Sequence, residues 1–362
     1  MRTEIKTAII CGVVIFVGVG IISIFYNEMD MKNNMTNSLQ FHNIDGLLKA
    51  PNMSGATGFV NILEDEIEVK IKDKVVLYDI WTYSCVNCIR TLPYITAWDE
   101  KYRNDGLLII GIHTPEFEFE KDQNNVETAV KKFGINYPVI LDNEKEIWKS
   151  FENKYWPRKY IADHNGYIRY DHIGEGAYQE TEKIIQHLLQ ERSNSLGIKN
   201  NNLELTTLNE FEHSINRTPE IYLGYKFAVG RDSLGNEQGF IPNEIIEYEI
   251  PAEKKQNHFY LDGTWHNTKD SMKLVSESGL IVLKYTAKQV NIVASNSAEL
   301  EIFLNGENIP DYMKGSDLTS DNKIIVNDPQ LYNIIDSDIT ESHELIIKVN
   351  KPNLEVFTFT FG

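Results

Sequence analysis

The stretch VVLYDIWTYSCVNCIRTLP, residues 75–93, constrains the fold more than any other part of the chain. A mostly apolar run ends at Trp81, and Cys85 and Cys88 follow at the start of a segment that favours a helix. The chain of 362 residues holds one further cysteine, Cys11, so the pair does not belong to a framework of several disulfides. The pattern predicts a buried strand that delivers two thiols to the start of a helix.

A spacing of three residues places the two thiols one helical turn apart. The first thiol then lies at the helix N-terminus, where free N–H groups and the helix dipole favour thiolate over thiol. We therefore expect Cys85 to attack a client protein and Cys88 to resolve the mixed disulfide that forms. A structural zinc site would need further ligands beside the pair, and a disulfide across so short a loop would add little stability. We expect neither a metal nor another cofactor.

Asp79 lies six residues before Cys85 in the otherwise apolar strand. Burying a carboxylate without a partner costs free energy, so its presence suggests that its protonation has a use. We expect Asp79 to accept the proton of Cys88. The alternative is a solvated carboxylate at a strand edge.

The N-terminal residues 7–26 contain no charged side chain and are long enough to cross a bilayer as a helix. Arg2 and Lys6 precede them, which predicts a cytoplasmic N-terminus and an extracytoplasmic position for the rest of the chain. A cleaved signal peptide is the alternative, but the apolar run is long for one and lacks an evident cleavage site. We expect a single-pass anchor in the cell membrane, followed by a polar tether at 27–40.

Residues 41–192 alternate between strand and helix patterns. Apolar β runs are followed by amphipathic helical segments, and the region closes with a hairpin and a last helix. This order predicts an α/β domain with a mixed sheet covered by helices on both faces. The helix that follows Cys85 is expected to be interrupted at Pro93.

The pattern changes beyond a linker at 193–216. Short alternating runs, separated by Gly, Asn, Asp and Pro, fill residues 217–362. Their number and spacing predict an all-β domain of the β-sandwich type.

The charge balance argues against a nucleic-acid partner. Acidic residues outnumber basic ones by 53 to 35, which gives a formal net charge of −18. Binding to a phosphate backbone requires clustered Lys and Arg side chains. We therefore expect partners other than nucleic acid.

Several motifs resemble known families. WTYSCVNCIRTLP, with Asp79 before it, is similar to the active-site region of thioredoxins. GLLIIGIHTPEFEFEKDQNNV, YPVILDN and NKYWPRKYIADHNGYIRYDHIGEG resemble the TlpA-type extracytoplasmic thioredoxins, in particular the soluble part of the DipZ proteins. Beyond the linker, TPEIYLGY, FYLDGTW, DPQLYNII and EVFTFTFG are similar to the C-terminal domain of that family, which resembles carbohydrate-binding modules.

The resemblance implies a thioredoxin-like fold at 41–192, with a helix and a strand inserted at about 123–141. It implies that Cys85 and Cys88 form the redox disulfide, and that a cis peptide bond precedes Pro157, which faces that disulfide. Further candidates near the site are Trp81, Tyr83, Trp156 and Glu116. Glu116 and Glu118 belong to the acidic loop HTPEFEFE. The alternative to a position near the disulfide is that both side chains are solvated.

DipZ proteins also have a multi-spanning membrane part that passes electrons across the bilayer, and this chain has a single apolar span in its place. The resemblance therefore implies client proteins with thiols or disulfides and a separate membrane electron donor of the CcdA/DsbD type. A glycan partner for the C-terminal domain is also implied.

Other functions compete with disulfide exchange. Thr82 stands three residues before Cys85, a spacing that also occurs in thiol peroxidases of the peroxiredoxin kind. A copper carrier would use histidines such as His113, His164 and His172, although scattered histidines are more often structural.

The last alternative is an envelope protein that binds a glycan or another protein. The aromatic side chains that would stack on sugar rings are Trp265, Tyr260, Tyr222 and Tyr225. Aromatic residues in a β-sandwich are more often part of the core.

Overall fold

A computed structural model describes residues 47–198, 204–208, 211 and 217–362. The predicted anchor at 7–26 and the tether at 27–40 lie outside these ranges. None of the helices in the described part of the chain is long and apolar enough to cross a membrane.

Six strands form the sheet of the first domain. They are β1 (Gly58–Val60), β2 (Val75–Trp81), β3 (Leu107–His113), β4 (Val139–Leu141), β5 (Arg158–Ala162) and β6 (Ile168–Ile173). Their order is β1-β4-β3-β2-β5-β6. The pairs β2–β3 and β3–β4 are parallel and the others antiparallel, so the sheet is mixed, as predicted.

Helices cover both faces of this sheet. They are α1 (Ile67–Ile71), α2 (Val86–Tyr102), α3 (Gln123–Lys132), α4 (Glu146–Ser150) and α5 (Tyr178–Leu196), with 3₁₀ turns at Glu64–Glu66, Arg103–Asp105 and Glu118–Lys121. Because successive strand residues point to opposite faces, Leu77 and Trp81 pack under α2, α3 and α5, while Tyr78 and Ile80 pack beside α1 and α4. The helix α3 and the strand β4 occupy the inserted region at 123–141.

Two details of the first domain differ from expectation. Helix α2 is continuous through Pro93, although proline cannot donate the usual backbone hydrogen bond. Its neighbours Leu92, Tyr94 and Ile95 are buried in the core, and their packing offsets the lost bond. Helix α5 extends to Leu196, which lies inside the predicted linker.

Nine strands form the sheet of the second domain, and all their pairings are antiparallel. They are β7 (Ile221–Tyr222), β8 (Ile245–Tyr248), β9 (His258–Asn267), β10 (Met272–Leu274), β11 (Gly279–Ser295), β12 (Ala298–Leu304), β13 (Lys323–Val326), β14 (Gln330–Val349) and β15 (Glu355–Phe361). A single helical turn, α6 (Tyr225–Ala228), and a 3₁₀ turn at Asp311–Met313 complete the elements of this region. The domain is β-rich, as predicted.

The strands of the second domain are longer than the sequence pattern suggested. GLIVLKYTA and VNIVAS, interpreted as separate runs, form the one strand β11, because a shift in register after Ala287 lets the pairing with β14 continue. The first part of β11 pairs with β9 and its last part with β15. The sheet therefore bends around one large apolar core.

The two domains are in contact beside α2. Arg90 Nη2 donates to Gln289 Oε1 at 2.7 Å, and Tyr222 donates its hydroxyl to Glu116 Oε1 at 2.7 Å. A small apolar cluster lies between them and consists of Phe117, Tyr222, Ala228, Val293 and Phe357. The second domain is thus held close to the helix that begins after Cys85.

Candidate active site

The two cysteines lie close together at the start of α2. Cys85 is the N-cap residue, directly before the first helical turn, and its sulfur accepts a hydrogen bond from the Cys88 backbone N–H at 3.3 Å. Cys85 is partly exposed, whereas Cys88 is 1% exposed. The arrangement provides one accessible thiol and one protected thiol.

Cys88 is strongly disfavoured as a thiolate. Burial raises its pKa well above the usual value, and the hydrogen bond with Cys85 and the charge of Cys85 raise it further. A backbone hydrogen bond at Thr82 acts in the opposite direction. Cys88 is therefore a thiol at neutral pH and needs a base before it can attack another sulfur.

Two buried, oppositely charged side chains lie opposite each other on β2 and β5, within electrostatic reach of Cys88. Asp79 is 1% exposed and pairs across the sheet with Lys159, which is fully buried in β5. Burial raises the pKa of Asp79 to about 6, while the charge of Lys159 opposes the shift. Burial lowers the pKa of Lys159 to about 8, while the charge of Asp79 opposes that shift. The expected alternative, a solvated Asp79 at a strand edge, is wrong.

One carboxylate oxygen of Asp79 has no hydrogen-bond donor in the described part of the chain and can accept a proton. Its Oδ1 has no hydrogen-bond partner among the described residues, whereas Lys159 Nζ donates to the Gly174 carbonyl oxygen at 3.1 Å. The charge of Asp79 raises the pKa of Cys88, which places the two groups within electrostatic reach. Lys159 was not singled out from the sequence, although a lysine in the apolar strand RKYIA was a usable signal.

A second buried carboxylate holds the loop before Cys85. Glu120 is fully buried; its Oε1 accepts from Ser84 Oγ at 2.6 Å, and its Oε2 accepts from the backbone N–H groups of Glu116 and Phe117 at 2.7 and 3.0 Å. These bonds tie the cysteine loop to the segment after β3. Glu116 and Glu118 were the acidic residues of this segment expected near the site, and Glu120, whose side chain contacts the loop, was missed.

The Trp156–Pro157 peptide bond is cis, as the resemblance implied. Pro157 is buried, and the Trp156 indole N–H donates to the Thr114 carbonyl oxygen at 3.0 Å. Trp156 also packs against Trp148, with ring centroids 4.2 Å apart. That Pro157 faces the disulfide stays a prediction.

The remaining candidates occupy different positions. Trp81 is fully buried at the end of β2, and Tyr83 stacks on His113 with ring centroids 5.5 Å apart. His113 is fully buried; burial lowers its pKa to about 3, and its Nε2 lies 3.3 Å from Thr82 Oγ1. His113 thus packs against Trp81 and Tyr83, the residues that connect β2 to the cysteine loop.

Glu116 faces the second domain. It is partly buried and accepts the hydrogen bond from Tyr222, and burial raises its pKa. Glu118 is exposed and forms an ion pair with Lys121 at 3.1 Å. Glu116 therefore contributes to the domain contact, and Glu118 has the solvated position given as its alternative.

Residues suggested for other functions do not converge. His113, His164 and His172 lie on β3, in the turn after β5 and on β6, and in the described ranges no group of His, Cys, Asp or Glu is arranged to hold a metal ion. Trp265, Tyr260 and Tyr222 are at most 8% exposed. They belong to the interior, as expected for aromatic residues in this kind of domain, and Tyr225 is only partly exposed.

Comparison with known proteins agrees with this arrangement. Residues 49–189 match the Redoxin family, and residues 218–362 match a family described as a thioredoxin-like C-terminal domain. Protein DipZ of Mycobacterium bovis is 32% identical over 315 residues, which cover 86% of this chain and 43% of DipZ. The chain is a homologue of DipZ.

Shorter proteins match the first domain. The thiol-disulfide oxidoreductase YkuV of Bacillus subtilis is 27% identical over 141 residues, covering 39% of this chain and 94% of YkuV. The crystal structure of a thiol-disulfide isomerase from Corynebacterium glutamicum aligns with a TM-score of 0.36 and 20% identity, covering 40% of this chain and 98% of that one. The Redoxin match and the similarity to YkuV show that the first domain is redoxin-like and similar to thioredoxin-like oxidoreductases. The chain spans less than half the length of the DipZ proteins it matches.

Proposed function

We propose that this chain is a membrane-anchored, extracytoplasmic thiol–disulfide oxidoreductase that exchanges disulfides with client proteins through Cys85 and Cys88. One observation carries the proposal: a partly exposed thiol caps a helix, a buried thiol follows one turn later, and a buried carboxylate lies within electrostatic reach of the second thiol. This is the arrangement that a nucleophile, a resolving thiol and a base require.

In the reducing direction, the Cys85 thiolate attacks one sulfur of a client disulfide. A bond forms between Cys85 and the client, and the other client sulfur leaves as a thiolate. Asp79 then accepts the proton of Cys88, whose sulfur attacks Cys85 and releases the second client sulfur. The client disulfide gains two electrons and, after protonation, two protons, while Cys85 and Cys88 become a disulfide. The reverse sequence oxidises a client dithiol, and the redox poise of the compartment sets the direction.

The position in the cell and the partners are part of the same proposal. The uncharged residues 7–26 support a single-pass anchor with the two domains outside the cytoplasm. Similarity to DipZ supports a separate membrane electron donor of the CcdA/DsbD type. The bent sheet of the second domain supports a β-sandwich that is held against the redox domain. A glycan site has less support, because most of its aromatic candidates are interior residues.

Trapping of mixed disulfides tests the proposal. Cys88→Ala removes the resolving thiol, so Cys85 should retain its clients in covalent complexes that reductant releases. Cells expressing Cys88→Ala are quenched with acid, free thiols are alkylated, and the complexes are purified and identified by mass spectrometry. The matched control, Cys85→Ala, should trap almost nothing, because Cys88 is buried.

Equal trapping by the two single variants would contradict the assignment of nucleophile and resolving thiol. Insulin reduction and hydrogen-peroxide consumption by the purified wild type separate disulfide exchange from peroxidase activity. Peroxide consumption without insulin reduction would replace the proposed function by the peroxidase alternative.

A further inference from the structure

A cleft of about 580 Å³ lies between the two domains, beside the helical turn that follows Cys85. The wall from the redox domain includes Tyr83, Val86, Ile89, Arg90, Ala129 and Phe133. The wall from the second domain includes Asn291, Asp317, Asp328, Gln330, Asn333 and Asp336. Tyr83 and Val86 lie two residues before and one residue after Cys85 in the chain, so the cleft begins close to the nucleophile.

Tyr83 lines this cleft and carries a buried hydrogen-bond donor that has no partner in the described part of the chain. Its side chain is 3% exposed, and its hydroxyl finds no acceptor among the residues that the structure describes. The Asn125 side chain lowers the pKa of Tyr83 but donates to the Phe119 carbonyl oxygen, so the phenol proton has no acceptor among the described residues. Burial raises the pKa of Tyr83 overall, which keeps that proton in place. A buried donor without an acceptor costs free energy, and a bound carbonyl oxygen would remove this cost.

The charge of the cleft is negative. Asp317, Asp328 and Asp336 line its second wall. Of the cations of the first wall, Arg90 lies 3.8 Å from Glu175, whereas Lys132 donates to the neutral amide oxygen of Gln330 at 2.7 Å and keeps its charge, one against three aspartates. The carboxylates of the second wall are therefore in excess over the available positive charge.

We propose that this cleft binds an extended, cationic polypeptide segment next to the client's reactive cysteine. Tyr83 donates its hydroxyl proton to a main-chain carbonyl oxygen, and the three aspartates face Lys or Arg side chains of the client. The inference rests on the proposed disulfide exchange and adds a rule for client choice. A neutral glycan would supply acceptors for Tyr83 but no positive charge for the opposite wall.

The test uses three short peptides in which one cysteine is flanked by lysines, by serines or by glutamates. Each carries the cysteine as a mixed disulfide with thionitrobenzoate, and the reduced full-length protein releases this chromophore. The wild type should react about tenfold faster with the lysine peptide than with the serine peptide at low salt, and more slowly with the glutamate peptide. The difference should shrink as salt is added.

Two variants assign the preference to the cleft. Asp317→Asn, Asp328→Asn and Asp336→Asn combined should bring the lysine-to-serine rate ratio close to one. Tyr83→Phe removes only the hydroxyl, and should lower the ratio of the serine-peptide rate to the rate with dithiobisnitrobenzoate about five- to tenfold. The control is Asp338→Asn, which changes an exposed carboxylate on β14, the strand of Asp336, outside the cleft. It should leave every ratio as in the wild type.

Equal rates for the three peptides in the wild type would overturn the inference, as would a preference that survives in the triple variant. Inhibition by a neutral oligosaccharide without any peptide preference would assign the cleft to a glycan and also overturn it. Failure of the wild type to react with any disulfide, including dithiobisnitrobenzoate, would instead refute the proposed function. Circular dichroism confirms that each variant is folded.

Discussion

The two domains bury different kinds of polar side chain. In the described part of the chain, the buried ionisable residues other than Cys and Tyr all lie in the first domain: Asp79, Asp99, His113, Glu120, Asp142, Lys159, Asp163, Glu182 and Arg192. The second domain buries only Ser, Thr and Asn of the polar types. Burying a charge costs far more than burying a neutral group, so the first domain maintains groups that its stability alone does not require. The contrast places the chemistry in the first domain and a supporting or binding role in the second.

Most of the buried charges in the first domain are fully engaged. Glu182 accepts hydrogen bonds from Tyr102 and from Thr206 in the linker, and Asp142 accepts from two backbone N–H groups at the start of α4. Asp79 is different, because one of its oxygens has no partner among the described residues. Satisfied carboxylates have structural explanations, whereas the unsatisfied one lies within electrostatic reach of the buried thiol.

The largest effect is expected in the second domain. Trp265 is fully buried in its apolar core, so Trp265→Ala should lower the free energy of unfolding by about 3–5 kcal/mol. Denaturant unfolding followed by circular dichroism measures the loss. Tyr312→Ala, at a 77% exposed side chain, serves as the control and should change stability little. A loss below about 1 kcal/mol for Trp265→Ala would break the view that apolar packing alone holds this domain together.

An effect of opposite sign is expected in the first domain. The pKa of Asp79 is about 6 in the folded protein and 3.8 for an unperturbed aspartate. The folded state therefore binds more protons between these values, and this group's contribution to stability falls as pH rises through that window. Asp79→Asn should therefore stabilise the fold at pH 7 by about 1–3 kcal/mol. The gain in stability should vanish near pH 4. In the same variant, Cys88 should resolve mixed disulfides more slowly than in the wild type, because its proton acceptor is missing. Unfolding curves at the two pH values, with Asp338→Asn as control, measure the gain. A destabilised Asp79→Asn at pH 7 would contradict the costly burial of this charge.

The parts that local sequence determines were predictable. The thiol pair at a helix start, the mixed sheet and the β-rich second half all follow from patterns within a few residues. The partners of Asp79 and Ser84 were not, because strand register brings Lys159 opposite the first and a loop fold brings Glu120 to the second. Such contacts join residues 80 and 36 positions apart, and a pattern with a period of two or 3.6 residues carries no information about them.

The smallest effect is expected at the contact between the two domains. Arg90 is a cation with an 11% exposed side chain, and burial lowers its pKa; the second domain supplies a neutral acceptor, Gln289 Oε1, at 2.7 Å. A hydrogen bond to a charged, mostly buried group contributes more than one at the surface, so Gln289→Ala should cost about 1–2 kcal/mol of stability.

The control uses the other amide that accepts a cation across the domain contact. Gln330 Oε1 accepts from Lys132 at the same distance, 2.7 Å, but this bond is exposed, so Gln330→Ala should cost less than about 0.5 kcal/mol. Because the charge of Cys85 also acts on Arg90, the alkylation rate of Cys85 should fall in Gln289→Ala and not in Gln330→Ala. Equal effects of the two substitutions would mean that the buried Arg90–Gln289 hydrogen bond contributes no more than an exposed one between the two domains. A selective effect of Gln289→Ala would mean that the amide of Gln289, a neutral group of the second domain, stabilises the buried charge of Arg90, which interacts electrostatically with Cys85.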